Sequence, residues 1–460
     1  MDDFIIKSKR DIPAVEIVSS DEDLLKESRG LPRPLLVEIV RAAIETLKLE
    51  LGQKYDEILF AGFKVKIITE IKKFQRKKIG RVINGTGILV HTNLGRAPLS
   101  EDLFNKIRNQ ITGYGNLEFE VDTGKRGRRG ELAEKLLALL SGAEAGIIVN
   151  NNAAALFLIL NTFANKKPVL ISRGELVQIG GGFRIPDIIR RSGARLIEIG
   201  TTNITTLADY KEALEQEPAL ILKVHRSNFS VSGFTEEVTL KDLARLGDQN
   251  NLPVINDLGS GVFVDTSDFA GKHESTVQNS VRDGAALTCF SGDKLLGGVQ
   301  AGLIVGQMEM ITRLKKNPIY RALRVDKIIF SALEELLGYY LDDSWRENVK
   351  LWSLAAVRES EMYEKGRRLL KQVDAGDKII LEGSQGEMGG GSLPGVPLPS
   401  VALVFRSRLA PQKLAQLFRS AELPVIGRVT ADNFIIDLKA IDDNEFELLA
   451  ATIINLLPQI

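Results

Sequence analysis

The sequence predicts an α/β protein: a large domain built on a seven-stranded, mostly parallel sheet, with a small helical domain ahead of it and a smaller α/β domain behind it. Three observations predict this. Between residues 81 and 335 seven short apolar runs recur: GIIVN at 146, PVLIS at 168, RLIEI at 195, ALILKV at 219, PVINDL at 253, AALTCF at 285 and GLIVG at 302. Stretches of helical character such as FRIPDIIRRSG and LKDLARLGDQN separate them, and buried strands alternating with helices are the pattern of a sheet covered on both faces. Ahead of residue 80 the periodicity is helical, and in 336–460 a second, shorter alternation closes the chain. At 460 residues and 44% hydrophobic content there is room for two or three domains with a sizeable core.

Within residues 1–80, IPAVEIV and the capping-type SSDEDLLKE lead into LPRPLLVEIVRAAIETLKLEL, where Leu36, Val37, Val40 and Ile44 share one helix face. The end of this module is basic: Lys64, Lys66, Lys72, Lys73, Arg76, Lys77, Lys78 and Arg81 stand against Glu70 alone. Taken by itself such a run is a solvated helix face; next to a detachable helical module it is also a candidate footprint for a polyanion. The seven apolar runs fill 81–335. Amphipathic helices follow from about residue 312 through SALEELLGYYL and ENVKLWSLAAVRESEMYEKGRRLLKQV. A Gly/Pro-rich segment, GEMGGGSLPGVPLPS at 386–400, separates them from a strand, helix, strand and helix that end the chain. No repeat is visible at periods of 20 to 50 residues.

Composition excludes several classes of function. Sixty basic residues balance sixty acidic ones, so the chain as a whole is not a polyanion binder, and any such surface is local. Cys289 is the only cysteine, and His91, His225 and His273 are scattered, which argues against disulfides, multi-thiolate metal sites and metal catalysis. The longest apolar stretches fall short of a bilayer span, and MDDFIIKSKRD does not read as a leader, so the cytoplasm is the expected compartment.

The chemistry is expected at the strand ends. Lys294, in LTCFSGDKLLGGVQAG, follows a buried strand in a loop of small residues, where desolvation would lower its pKa and make a nucleophilic, Schiff-base-forming amine. Asp257 ends the strand PVINDLGSG, so its carboxylate emerges at the carboxyl edge of the sheet, where ligands of α/β proteins bind and where it can pair with a protonated pyridine nitrogen. Asn150, Asn151 and Asn152 cap a helix at the junction GIIVNNNAAALFLIL, and the leading amides of that helix suit a phosphate. Each signal alone has an ordinary structural explanation: a surface lysine, a helix cap, a turn. Their order across one seven-stranded domain describes a pyridoxal 5'-phosphate (PLP) enzyme of the aspartate-aminotransferase architecture, fold type I. GxGxxG is absent, which removes support for a dinucleotide-binding reading. His225 and Cys289 are most simply core or strand-end residues.

The residues go beyond an architecture. RVINGTGILVHTNLGRAPLS, GYGNLEFEVDTGKRGRRG, VNNNAAALFLIL, SRGELVQIGGGFRIPDI, GTTN at 200–203, INDLGSG, FSGDKLLGGVQAGLIVG and GGGSLPG resemble the bacterial selenocysteine synthases, the L-seryl-tRNA(Sec) selenium transferases, over nearly the whole chain. HRSNFSVSGFTEE at 225–237 departs from the pattern, with Arg226 and Phe229 where Thr and Tyr are expected. The resemblance implies a PLP enzyme, self-associating as a dimer and a ring of dimers, that converts seryl-tRNA(Sec) to selenocysteinyl-tRNA(Sec) with selenophosphate by loss of water to an aminoacrylyl-tRNA and addition of selenium. It implies that Lys294 carries PLP as an aldimine and acts as base, and that Asp257 keeps the pyridine ring protonated. Asp293 orients the site or assists proton transfer. Asn151, Asn152, Ala153, Gln178 with the adjacent Gly180–Gly182 run, and Ser291 contact the cofactor; Thr201 and Thr202 lie near it or the substrate. Arg96, Arg321 and Arg324 receive the selenium donor. The rival expectation is a related PLP lyase acting on a small amino acid or amino-sugar acid phosphate without tRNA; residues 1–80 discriminate, because such a lyase has no use for a helical module with a basic end.

Overall fold

The structure, a computed structural model, describes residues 3–179, 182–226, 229 and 231–460. The chain divides into two compact units, Met1–Arg81 and Val82–Ile460.

In the first unit, helices Glu22–Glu27, Arg33–Glu50 and Phe60–Gln75 pack around Leu36, Val40, Ile44, Phe60, Phe63 and Ile67, all buried. Asp21 caps the first of these, its side chain accepting from the amides of Asp23 and Leu24. The basic run is answered by acids distant in sequence. Lys64 is buried and bridges Asp21 and Asp23 at 3.2 and 2.7 Å. Lys66 pairs with Glu50 at 2.9 Å and Lys72 with Glu27 at 3.4 Å. Part of the positive stretch therefore holds the module together, and the exposed charge shifts toward Lys77 and Lys78 at its end.

In the second unit all seven apolar runs form strands of one sheet. Their order across it is Arg195–Ile199, Pro168–Ser172, Leu220–Val224, Val254–Gly259, Leu287–Ser291, Gly302–Gly306 and Ala145–Val149. Pairing is parallel except around Gly302–Gly306, which runs antiparallel to both neighbours. Successive side chains enter opposite layers: Ile147 and Val149 pack with the helix Asn152–Phe163, Ile148 with the helices Glu131–Ser141 and Lys327–Leu341. Both faces are thus covered, which is why the strands read as continuous apolar runs.

The second sheet, six-stranded, is assembled from both ends of the unit. Its order is Ile83–Gly85, Val425–Val429, Phe434–Asp437, Ser392–Phe405, Ile379–Gly389 and Ile88–Val90. The Gly/Pro-rich segment is part of a long hairpin between Ile379–Gly389 and Ser392–Phe405. Pro394, Pro397 and Pro399 are accommodated because the neighbouring strand Phe434–Asp437 pairs only from Ala402 onward, leaving that edge without ladder bonds to lose. The helical stretch after 342 is broken into Trp345–Asn348, Lys350–Ala356 and Glu359–Val373. Among the described residues no helix is long and apolar enough to cross a membrane.

Candidate active site

The carboxyl edge of the large sheet opens on a cavity of about 270 Å³ in which Lys294, Asp257, Asn151, Asn152, Ala153, Ser291, Asp293 and Arg96 come together. Asp257 follows three buried residues of its strand and is itself 7% exposed. Asn152 Nδ2 donates to its Oδ1 at 2.8 Å. Burial pushes the Asp257 carboxyl upward in pKa, while the Asn152 bond and the Lys294 charge pull it back.

Lys294 is 6% exposed, and a Cβ placed on Gly259 would lie 3.8 Å from its Nζ, which sets the amine over the end of the Asp257 strand. Desolvation lowers its pKa from the ordinary lysine value; Arg96 adds to the effect, and Asp257, Asp293 and Glu274 oppose it. The loop that carries Lys294 folds back on itself through Gly292 N to Ala301 O and Gly298 N to Gly292 O, both at 2.9 Å. A side chain at Gly292 would meet Val299 O at 2.6 Å, so the small residues there are a steric requirement.

Asn151 caps the helix Asn152–Phe163, its Oδ1 accepting from Ala154 N at 2.9 Å. The first amides of such a helix have no intrahelical acceptor, and Asn151, Asn152 and Ala153 at this start line the cavity. Gly302 makes the approach possible: a Cβ there would sit 2.1 Å from Asn151 O. Arg96 arrives from the other sheet's Ile88–Val90 strand. It has φ 66°, unusual for a side-chain-bearing residue, and is fixed by its amide on His91 O at 2.9 Å. Its Nη1 donates to both oxygens of Asp293 at 3.0 and 2.9 Å.

The other expected site residues lie outside this cavity. Gln178 is exposed on a two-stranded ribbon and accepts from Arg184 Nε at 2.7 Å; Gly180 and Gly181 lie outside the described residues. Thr201 and Thr202 are exposed in the turn after Arg195–Ile199, where Thr201 Oγ1 donates to Ile204 O at 3.0 Å. Arg321 is exposed on the short helix Pro318–Ala322, and Arg324 lies 5.6 Å from the Tyr320 ring centroid. Their segment abuts the asparagine turn, since Asn150 N donates to Leu323 O at 3.1 Å. In the departing loop Arg226 pairs with Glu237 and Phe229 is exposed; Ser227, Asn228 and Ser230 lie outside the described residues.

Two residues read as core or strand end have neighbours that the reading did not foresee. His225 lines the cavity, with Nε2 3.6 Å from the buried Glu274 Oε1 and Nδ1 buried without a hydrogen bond among the described residues. It stands directly after the strand Leu220–Val224, the same strand-end location that singled out Asp257, so the signal was available. Cys289 is fully buried, yet its Sγ lies 3.7 Å from Asp257 Oδ1. Gln300 also lines the cavity, and nothing in the sequence alone distinguishes it.

The sequence profile described as "SelA: L-seryl-tRNA selenium transferase" matches residues 82–442. The chain is 42% identical over 432 residues to the L-seryl-tRNA(Sec) selenium transferase of Aquifex aeolicus (strain VF5), covering 93% of this chain and 95% of that protein. It is 40% identical over 458 residues to the one of Geotalea daltonii, covering 98% and 99%. Among solved structures, D-glucosaminate-6-phosphate ammonia-lyase superposes with a TM-score of 0.59 at 18% identity, over 84% of this chain and 98% of that one, a likeness of fold. The shared architecture is an α/β fold built on a seven-stranded, mostly parallel sheet. With a profile match over most of its length and relatives of this identity and coverage, the chain belongs to the L-seryl-tRNA selenium transferase family.

Proposed function

We propose that this protein converts L-seryl-tRNA(Sec) to L-selenocysteinyl-tRNA(Sec), with selenophosphate as the selenium donor. The observation that carries the reading is the meeting of Lys294 and Asp257 in one cavity under a capped helix start, in a chain of this family. PLP is the cofactor. The residues fit it: a desolvated amine, a buried carboxylate, helix-start amides for a phosphate, and the Asn152 Oδ1 buried without a hydrogen-bond partner among the described residues. Lys294, Asp257, Asn151, Asn152, Ala153 and Ser291 would hold it, with Gln178 as a further contact. When bound, PLP supplies an aldehyde for amines and an electron-withdrawing ring that stabilises negative charge at the substrate Cα.

Lys294 Nζ takes the proton from the seryl Cα; its lowered pKa keeps a larger share of the amine neutral and able to accept it. Asp257 would hold a proton at the ring nitrogen of bound PLP, through the negative charge of its ionised form. Asp293 acts through Arg96: the two-oxygen contact fixes the guanidinium, whose remaining N–H donors suit the phosphate-like donor. Arg321 and Arg324 complete the anion site, and Thr201 and Thr202 supply hydroxyls to the substrate, each from outside the cavity of this one chain. That separation is consistent with a site completed by self-association as a dimer or a ring of dimers.

Residues 1–80 form the tRNA-reading domain, 81–335 the catalytic domain and 336–460 the small C-terminal domain. The cytoplasm, where charged tRNA is used, is the compartment of the reaction. The test is mass spectrometry of the aminoacyl group after incubating seryl-tRNA(Sec), selenophosphate and the protein. Selenocysteine is expected; unchanged serine in the presence of bound PLP rejects the reading.

A further inference from the structure

Asp257 is gripped at one of its two carboxylate oxygens from two separate elements. Asn152, at the start of the helix Asn152–Phe163, donates Nδ2 to Oδ1 at 2.8 Å. Cys289 stands opposite Asp257 on the adjoining strand and brings Sγ to 3.7 Å from the same Oδ1, an ordinary reach for a thiol donor. Cys289 is 0% exposed, and burial together with the neighbouring carboxylate raises its pKa well above the usual thiol value, so the sulfur keeps its proton and has it to donate to Oδ1. Neither donor reaches Oδ2, and Asp257 lines the cavity.

We infer that Asn152 and Cys289 act as a two-donor clamp on Asp257 Oδ1, turning Oδ2 toward the cofactor's ring nitrogen, so that Cys289 is a positioning residue of this reaction. The inference rests on the assignment of Asp257 to that nitrogen. Donors from a helix start and from a strand fix the carboxylate plane in a way that one bond cannot. Both also favour the ionised carboxylate, opposing the upward push that burial gives its pKa. An aliphatic side chain at 289 would fill the same space and do neither.

The test compares Cys289→Ser, Cys289→Val, Cys289→Ala and Asp257→Asn proteins by PLP dissociation constant and by the pH dependence of the bound cofactor's visible spectrum. Losing the donor in Cys289→Val and Cys289→Ala is expected to weaken PLP binding by about fivefold each and to move the spectral transition, whereas Cys289→Ser, which keeps a donor, stays within about twofold of the parent. A purely packing role predicts a different order, with Ala worse than Val and Ser no better than Ala. That order, or a Cys289→Val protein indistinguishable from the parent, overturns the clamp. If Asp257→Asn itself leaves affinity and spectrum unchanged, the assignment of Asp257 falls and the clamp falls with it. An altered Asp257→Asn beside an unaltered Cys289→Val rejects the clamp alone.

Discussion

At the scale of residues, the proton affinity of Lys294 is the quantity the site controls. Cofactor-free protein should capture PLP faster as pH rises, because only the neutral amine attacks an aldehyde, with a midpoint below the ordinary lysine value of 10.5. The direction of change on mutation follows from the charges around Nζ. Arg96→Ala removes a cation and releases Asp293, both of which raise the midpoint; Asp293→Asn releases Arg96 and lowers it. Stopped-flow capture across pH checks this, and equal midpoints in both variants would mean that the pair does not sense Lys294. Lys294→Ala should lose the borohydride-reducible adduct altogether; a reduced adduct on another lysine refutes the assignment. Lys294 and Asp257 were legible because a strand-end location needs only local sequence. Cys289 was not, since its contact with Asp257 depends on which strand lies alongside, and strand order is a property of the folded sheet.

At the scale of elements, the site depends on close backbone approach. Gly302→Ala places a methyl 2.1 Å from Asn151 O, so either the strand Gly302–Gly306 or the asparagine turn must shift. The expected outcome is loss of bound PLP with the far-ultraviolet dichroism spectrum retained; full PLP occupancy would show that the turn yields without consequence. The second sheet carries its own titratable element. Lys439 is 4% exposed, donates to Ala355 O and Val357 O at 3.0 and 2.8 Å, and has its pKa lowered to about 8, chiefly by burial. Between about 8 and 10.5 the unfolded chain holds the extra proton, so this residue's contribution to stability rises with pH there and is lost as pH falls through 8. The parent-minus-variant difference in stability for Lys439→Met should change across that window by roughly 3 kcal/mol at most, and a flat difference in denaturant midpoint rejects it. Such features were hidden from the sequence for one reason. Lys439, the proline hairpin and the ion pairs of Lys64 are each decided by a partner far along the chain, whereas apolar runs and caps are decided by neighbours.

At the scale of the whole molecule, the two compact units separate at Arg81, which makes the division of labour testable by deletion. A chain beginning at Val82 retains both sheets and the cavity, and should bind PLP. It should lose affinity for seryl-tRNA(Sec), because the concentrated positive charge of a neutral protein leaves with residues 1–81. The charge that remains available to an RNA is smaller than the sequence count suggests, since Lys64, Lys66, Lys72 and Lys73 are engaged with Asp21, Asp23, Glu50, Glu27 and Glu70. Binding by the full chain should therefore weaken with salt at a log-log slope of roughly 0.7 to 0.9 per phosphate contact, and the slope should reflect a few contacts rather than eight. Charge-neutral substitution of Lys77 and Lys78 should reduce the slope, whereas Lys64→Met should act on stability by unpairing Asp21 and Asp23. If the helical module reads the tRNA, its selection of the selenocysteine tRNA over others comes from shape and groove contacts, because phosphate contacts carry no sequence information. Filter binding of both chains to seryl-tRNA(Sec) and to an elongator tRNA, across salt concentrations, separates the two terms. If the chain beginning at Val82 keeps selective, full-strength binding, recognition belongs to the catalytic unit and the helical module serves another purpose.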